Sequence, residues 1–200
     1  MTKSHIDKGN SRRRPLWRAT GPLLVCGWLL CGLLTGCTPA AERRSFGTVI
    51  DDQTAELEAL NEIYEQAGFD TYADHIKVEA HNGTLLLAGE VGSAEKKARA
   101  GEIAAQLKTV ERVVNELEVM PGADTSGLLH NSYLTSKVNT RLMISNPVPG
   151  FDPGRIKVLS AHGTVYLMGT VSRDQGDAVA DVVRNVRGVK KVVKVFDYTD

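Results

Sequence analysis

The sequence predicts an α+β fold: two tandem copies of one αββαβ module, each a small mixed sheet packed by two helices. Three observations carry this prediction. The segment IKVEAHNGTLLLAGEV (76–91) recurs as IKVLSAHGTVYLMGTV (156–171) at an offset of 80, with Ile, Lys, Val, Gly, Thr, Leu, Gly and Val in register. Such self-similarity marks a duplicated structural unit. In both copies a strand-like stretch gives way to helical spacing. Both copies then end in a valine-rich run, ERVVNELEV and KKVVKVF, where one deleted residue drops the offset to 79.

The elements follow in chain order. DDQTAELEALNEIYEQ (51–66) reads as a helix. Ile76, Val78 and Ala80 alternate with Lys77 and Glu79, which predicts a half-buried strand. Asn82-Gly83 is a strong hairpin signal because both central turn positions need positive φ, and His162-Gly163 keeps the glycine in the second copy. The second strands are 84–91 and 164–171. In the next helix of the first copy, Ile103, Ala104 and Leu107 form the apolar stripe. Its counterpart opens on a capping box, Ser172 to Gln175, followed by Val179, Val182, Val183 and Val186 at helical spacing. MPGADTSG (120–127) has turn formers and no periodicity, which predicts a linker. NSYLTSKVNTRLMIS (131–145) is the second copy's first helix, and the three prolines of NPVPGFDPG (146–154) end it. The predicted organisation is a tether at 37–48, a module at 49–120, a linker at 121–129 and a module at 130–199. On this reading the linker leaves the second module free of the first.

The first 36 residues read as a signal peptide. Lys3, Lys8, Arg12, Arg13, Arg14 and Arg18 stand against one acid, Asp7, and the apolar run GPLLVCGWLLCGLL (21–34) follows. That run is shorter than the roughly 20 residues a membrane-crossing helix needs, and basic-then-apolar order is the secretory pattern. Leu34-Thr35-Gly36-Cys37 resembles a lipobox, which makes Cys37 the lipidated residue, carrying a diacylglycerol and an N-acyl chain. The alternative is an uncleaved anchor with an incidental cysteine. Cys26 and Cys31 fall in the segment to be removed, so no disulfide is expected in the mature chain. Three acyl chains exceed the two signals needed for stable anchoring. Thr38, in place of the Asp that retains Gram-negative lipoproteins at the inner membrane, implies sorting to the outer membrane.

The formal charge of zero conceals an asymmetry. Residues 37–124 hold 8 Lys and Arg against 17 Asp and Glu, and residues 125–200 hold 10 against 6. The basic half is the candidate for an anionic surface, or the charge simply varies between copies. An exported, acidic mature chain disfavours nucleic acid as a partner.

The chemistry of an active site is missing from the sequence. His75, His81, His130 and His162 lack neighbours at metal-ligand spacing, and no nucleophile elbow or phosphate loop occurs. His81 and His162 read as polar residues at hairpin tips. The chain is expected to be no enzyme, with no cofactor or metal.

The αββαβ duplication, the GTLLLAGEV and GTVYLMGTV hairpins and the valine-rich endings resemble the BON domain family over about residues 45–198. With the lipobox, the chain is similar to dual-BON outer-membrane lipoproteins that face the periplasm. The resemblance implies a non-enzymatic protein that binds anionic phospholipid through its second module and supports membrane integrity, with enrichment at division sites. The first helix departs from this by its Glu56, Glu58, Glu62 and Glu65.

The second copy's first helix is the candidate site. Tyr133, Lys137 and Arg141 share one stripe at i, i+4 and i+8, and an amphipathic ring beside two cations suits an anionic headgroup boundary. Such lipoproteins carry a Trp where Tyr133 stands, a conservative departure. Leu134, Val138 and Leu142 form the adjacent core stripe. The expected lipid-binding set is Tyr133, Lys137, Val138, Arg141 and Met143, the alternative being a solvated face. Lys190, Lys191 and Lys194 either add electrostatic attraction or protect an edge strand. The rival function is a periplasmic scaffold or assembly factor whose acidic first module meets envelope proteins.

Overall fold

The computed structural model describes residues 46–65, 68–122 and 125–200. The expected signal peptide and Cys37 lie outside the described residues. The first module consists of helix α1 (Phe46–Glu65), strands β1 (His75–His81) and β2 (Thr84–Val91), helix α2 (Ala94–Ala105) and strand β3 (Arg112–Val119). The second repeats the order with α3 (Thr125–Ser145), β4 (Ile156–Ala161), β5 (Thr164–Val171), α4 (Arg173–Arg184) and β6 (Lys191–Tyr198). This is the α+β architecture that the repeat predicts.

Each sheet has its second strand in the centre, antiparallel to the first and parallel to the third. Local chemistry enforces this. Asn82 and Gly83 turn the first hairpin at φ 47° and 73°, and His162 and Gly163 turn the second at 50° and 85°, the left-handed pair a two-residue hairpin needs. The parallel strand then requires a crossover helix. Ser93 caps α2 by accepting from the Lys96 N–H. Ser172 and Gln175 cap α4 with a complete capping box. Thr84 pairs with Arg112 and Thr164 with Lys191, so the offset of 79 at the last strand is structural.

Both leading helices begin earlier than the sequence predicts, and α3 takes in residues expected to be linker. Gly127 reads as punctuation but costs only about 1 kcal/mol inside a helix. Contacts to the sheet offset that cost: Asn131 Oδ1 accepts from the His162 N–H at 3.0 Å and the Asn131 carbonyl accepts from Ser160 Oγ at 2.6 Å.

Each module has its own core between its helices and one sheet face. In the first, Ala59, Ile63, Leu85, Leu87, Val91, Ile103 and Leu117 pack together. In the second, Leu134, Val138, Leu142, Val165, Leu167, Val179, Val183 and Phe196 do. The other faces of the two sheets share a third core, in which Leu86 and Ala88 of β2 meet Ala161, Tyr166 and Met168 of β4 and β5, and Val195 of β6. Burying a large apolar side chain contributes about 1.5–3 kcal/mol, and Leu86, Tyr166 and Met168 are all at most 1% exposed. The second module is therefore docked on the first rather than free on a linker.

The docking is nearly twofold. Lys77 Nζ donates to the Ser160 carbonyl at 2.9 Å, and Lys157 Nζ donates to the Ala80 carbonyl at 2.8 Å. Lys157 also pairs with Glu56 at 2.9 Å and Glu79 at 2.6 Å. Burial works to lower the Lys157 ammonium, but Glu79 and Glu56 outweigh it and hold it above its ordinary value. Burial wins at Lys77, which is lowered. His81 Nε2 lies 2.9 Å from Thr170 Oγ1, and Asn82 Nδ2 donates to the same oxygen at 3.0 Å. His162 Nε2 contacts Glu90, whose side chain is buried at this boundary. The two histidines expected to be ordinary turn residues are thus contacts between modules.

Candidate functional site

Helix α3 lies on its sheet through Leu134, Val138 and Leu142, each at most 1% exposed. Side chains three and four residues apart share a face, so this seating turns Tyr133, Lys137 and Arg141 outward. Tyr133 is 63% exposed. Lys137 Nζ sits 5.8 Å from the Tyr133 ring centroid, within cation–π range, and donates to the Arg187 carbonyl at 2.7 Å. The second contact tethers α3 to the turn after α4.

Between that turn and the helix runs a shallow groove of about 470 Å³, lined by Tyr133, Ser136, Lys137, Thr140, Arg141 and Ile144 on one side and by Asn185, Val186 and Arg187 on the other. Tyr133, Lys137 and Arg141 are brought together as the spacing predicts. Val138 is not part of this surface. It is 0% exposed in the second core, because it follows Leu134 by one helical turn on the inward stripe, and its assignment to lipid contact is corrected. Met143 is 71% exposed but lies outside the groove. Ile144 takes the place expected of it: eleven residues after Tyr133 is three helical turns, which returns to the same face. Leu129, one turn before Tyr133, is 67% exposed. Sequence spacing held the signal for both. Of the lysines in the last strand region, Lys194 pairs with Asp177 at 2.6 Å and Lys191 approaches Glu116 at 4.0 Å.

The first module supplies an internal control. Buried Ala55, Ala59 and Ile63 of α1 match buried Leu134, Val138 and Leu142 of α3 at an offset of 79. At that offset Tyr133, Lys137 and Arg141 correspond to Thr54, Glu58 and Glu62. The same exposed helical face is acidic in one copy and basic with an aromatic in the other. Among the described residues no helix is long and apolar enough to cross a membrane, and no cluster of three or more His, Cys, Asp or Glu is arranged for a metal.

The BON domain family model matches residues 51–121 and 130–200. The outer membrane lipoprotein DolP of Haemophilus influenzae is 34% identical over 161 residues, covering 80% of this chain and 81% of that protein. The 21 kDa hemolysin of Actinobacillus pleuropneumoniae is 31% identical over 193 residues, covering 96% and 97%. Among solved structures, the C-terminal domain of CdsD, a type III secretion structural protein of Chlamydia trachomatis, aligns over 72% of this chain and 96% of that one at 13% identity, with a TM-score of 0.30.

Proposed function

This chain belongs to the BON domain family, with two copies in tandem, and from that premise we propose that it is a non-enzymatic outer-membrane lipoprotein whose second module binds anionic phospholipid. On this reading Cys37 carries the acyl anchor, the modules face the periplasm, and the protein supports outer-membrane integrity, including at division sites. The observation that carries it is the outer face of α3. Exposed Tyr133, Leu129 and Ile144 supply apolar contact, and Lys137 and Arg141 supply charge. That combination suits a headgroup boundary, where an amphipathic face inserts its apolar groups and its cations meet anionic lipid. The equivalent face of α1 lacks the aromatic ring and the cations, with Thr54, Glu58 and Glu62 in their places. The lipoprotein identity of the Haemophilus relative supports the compartment.

The test is co-sedimentation of the full chain with phosphatidylglycerol vesicles and with phosphatidylcholine vesicles. The wild type is expected to prefer the anionic vesicles, and Tyr133→Glu and Lys137→Glu to weaken that preference. Unchanged binding in both variants sinks the assignment.

A second reading has its own observation. Leu57 is 65% exposed and Ile50 46% exposed on the acidic helix α1, a combination that fits a basic, apolar-anchored envelope protein. A stoichiometric protein partner captured by the full chain, with no vesicle binding, selects the scaffold reading.

A further inference from the structure

A second cleft lies at the amino-terminal end of α3 and shares no lining residue with the Tyr133 groove. Its volume is about 490 Å³, and Ser126, Gly127, His130, Asn131, His162, Gly163 and Lys190 line it. We propose that this cleft is a binding site for a phosphate-type oxyanion.

Four features support the assignment. Among the described residues the lining contains no carboxylate, and it includes a lysine and two histidines. Lys190 and His130 are exposed, and no ion pair holds either of them among the described residues. Asn131 is 2% exposed, its Oδ1 accepts from the His162 N–H, and its Nδ2 has no hydrogen-bond partner. An amide donor left unpaired at that burial costs on the order of 1–3 kcal/mol, which an oxyanion acceptor in the cleft recovers. The first turn of a 21-residue helix borders the cleft, and its dipole favours negative charge there. His162 forms a wall, but its Nε2 is committed to Glu90, so it is not counted among the donors.

The first module again gives the decisive comparison. Its turn has the same construction. The Glu111 side chain packs 3.1 Å from where a Cβ on Gly83 would sit, as Lys190 packs 3.0 Å from a Cβ on Gly163. Each helix sends a side-chain oxygen to its turn: Asp52 Oδ1 accepts from the N–H of the second turn residue, Gly83, and Asn131 Oδ1 from that of the first, His162. At the offset of 79, His130, Asn131 and Lys190 correspond to Asp51, Asp52 and Glu111. Three acids in one copy have become a histidine, an amide and a lysine in the other, on one scaffold. Asp52 shows that the turn tolerates a carboxylate at this position. The contact to the turn therefore does not itself call for an amide, and Asn131 brings a donor that Asp52 lacks.

The anion is either the phosphate of a lipid headgroup or free phosphate, and one experiment separates them. The full chain is titrated calorimetrically with inorganic phosphate, and in parallel its affinity for phosphatidylglycerol vesicles is measured. Wild type is expected to bind phosphate saturably. Lys190→Glu and Asn131→Asp, which restore the first module's residues, are expected to weaken it by about tenfold or more, the scale of a charge-assisted hydrogen bond. Arg99→Glu, the same charge change on α2, is expected to leave it within about twofold, since an exposed charge distant from the site is screened. Thermal melts within a few degrees of wild type confirm folding of Asn131→Asp. If Lys190→Glu also lowers vesicle affinity, the headgroup is the source; if vesicle affinity is unchanged, free phosphate is. Absence of saturable phosphate binding by wild type, or equal binding by the Lys190→Glu and Asn131→Asp variants, overturns the proposal whatever the vesicles do. Because the cleft and the groove share no residue, its failure leaves the Tyr133 reading untouched.

Discussion

Lys77 and Lys157 hold the same position in the two repeats, and each reaches across the module boundary to a backbone carbonyl at the same position of the other repeat, Ser160 and Ala80. The pair is equivalent in geometry but not in environment. Lys157 has Glu56 and Glu79 within reach, and Lys77 has neither counterpart, because Leu159 stands where Glu79 stands in the first copy. Lys157→Met is therefore expected to be the more damaging substitution. It strands two partly buried carboxylates at a cost of about 2 kcal/mol, discounted for their solvent access. Lys77→Met is expected to cost less than about 1 kcal/mol, the value of one ordinary hydrogen bond. Urea unfolding of both variants checks the order, and equal losses contradict it.

The shared core between the sheets makes a thermal prediction. Met168 is 1% exposed against the first module. Met168→Glu places an unpaired charge there, at a cost of about 3–5 kcal/mol. The modules are expected to lose their mutual support, and one calorimetric transition to become two at lower temperature. A single transition at the wild-type temperature would show that the boundary contributes little.

Asp74 controls acid stability. Burial acts to raise its carboxyl, but Lys96 at 2.6 Å and the N–H groups of Asp70 and Gly92 outweigh burial and hold it below the usual carboxylate range. A folded-state value below the unfolded one gives stability that is complete above the unfolded value. That stability is lost as pH falls through the folded value. Asp74→Asn is expected to cost about 2 kcal/mol at neutral pH, with the gap to wild type closing below about pH 4. A gap that stays constant down to pH 2 would assign the loss to packing instead.

Val138 separates stability from surface chemistry. Val138→Ala removes two buried methyl groups and is expected to cost about 2 kcal/mol, while vesicle binding per folded molecule stays at the wild-type level. Tyr133→Glu is expected to do the reverse. If Val138→Ala weakens vesicle binding at full folding, the inward seating of α3 is wrong.

Much of the fold is legible in the residues because local chemistry and repeat agree. Asn82-Gly83 and the Ser172 to Gln175 box specify their turns and caps without tertiary help. The docking of modules is written less openly. LLLA in β2 and VYLM in β5 are apolar on both faces, which is how a doubly covered strand reads, but period-two alternation in β1 points to a sheet with one open face. The groove stripe is legible from spacing, since Tyr133, Lys137 and Arg141 lie on one helix. The amino-terminal cleft is not, because Lys190 lies 60 residues beyond His130 and only the β5–α4–β6 crossover brings it back.

The apolar outer face of each sheet would, on a solitary module, demand a second molecule. Joining both halves in one chain replaces that encounter with a folding step, so the assembly forms whether the protein is abundant or scarce. It also frees the sequence from self-matching. In a symmetric pair every substitution appears twice, and a helix turned basic on one side is basic on both. Here Glu58 and Lys137 diverge on opposite halves without compromise, giving one particle two dissimilar exteriors.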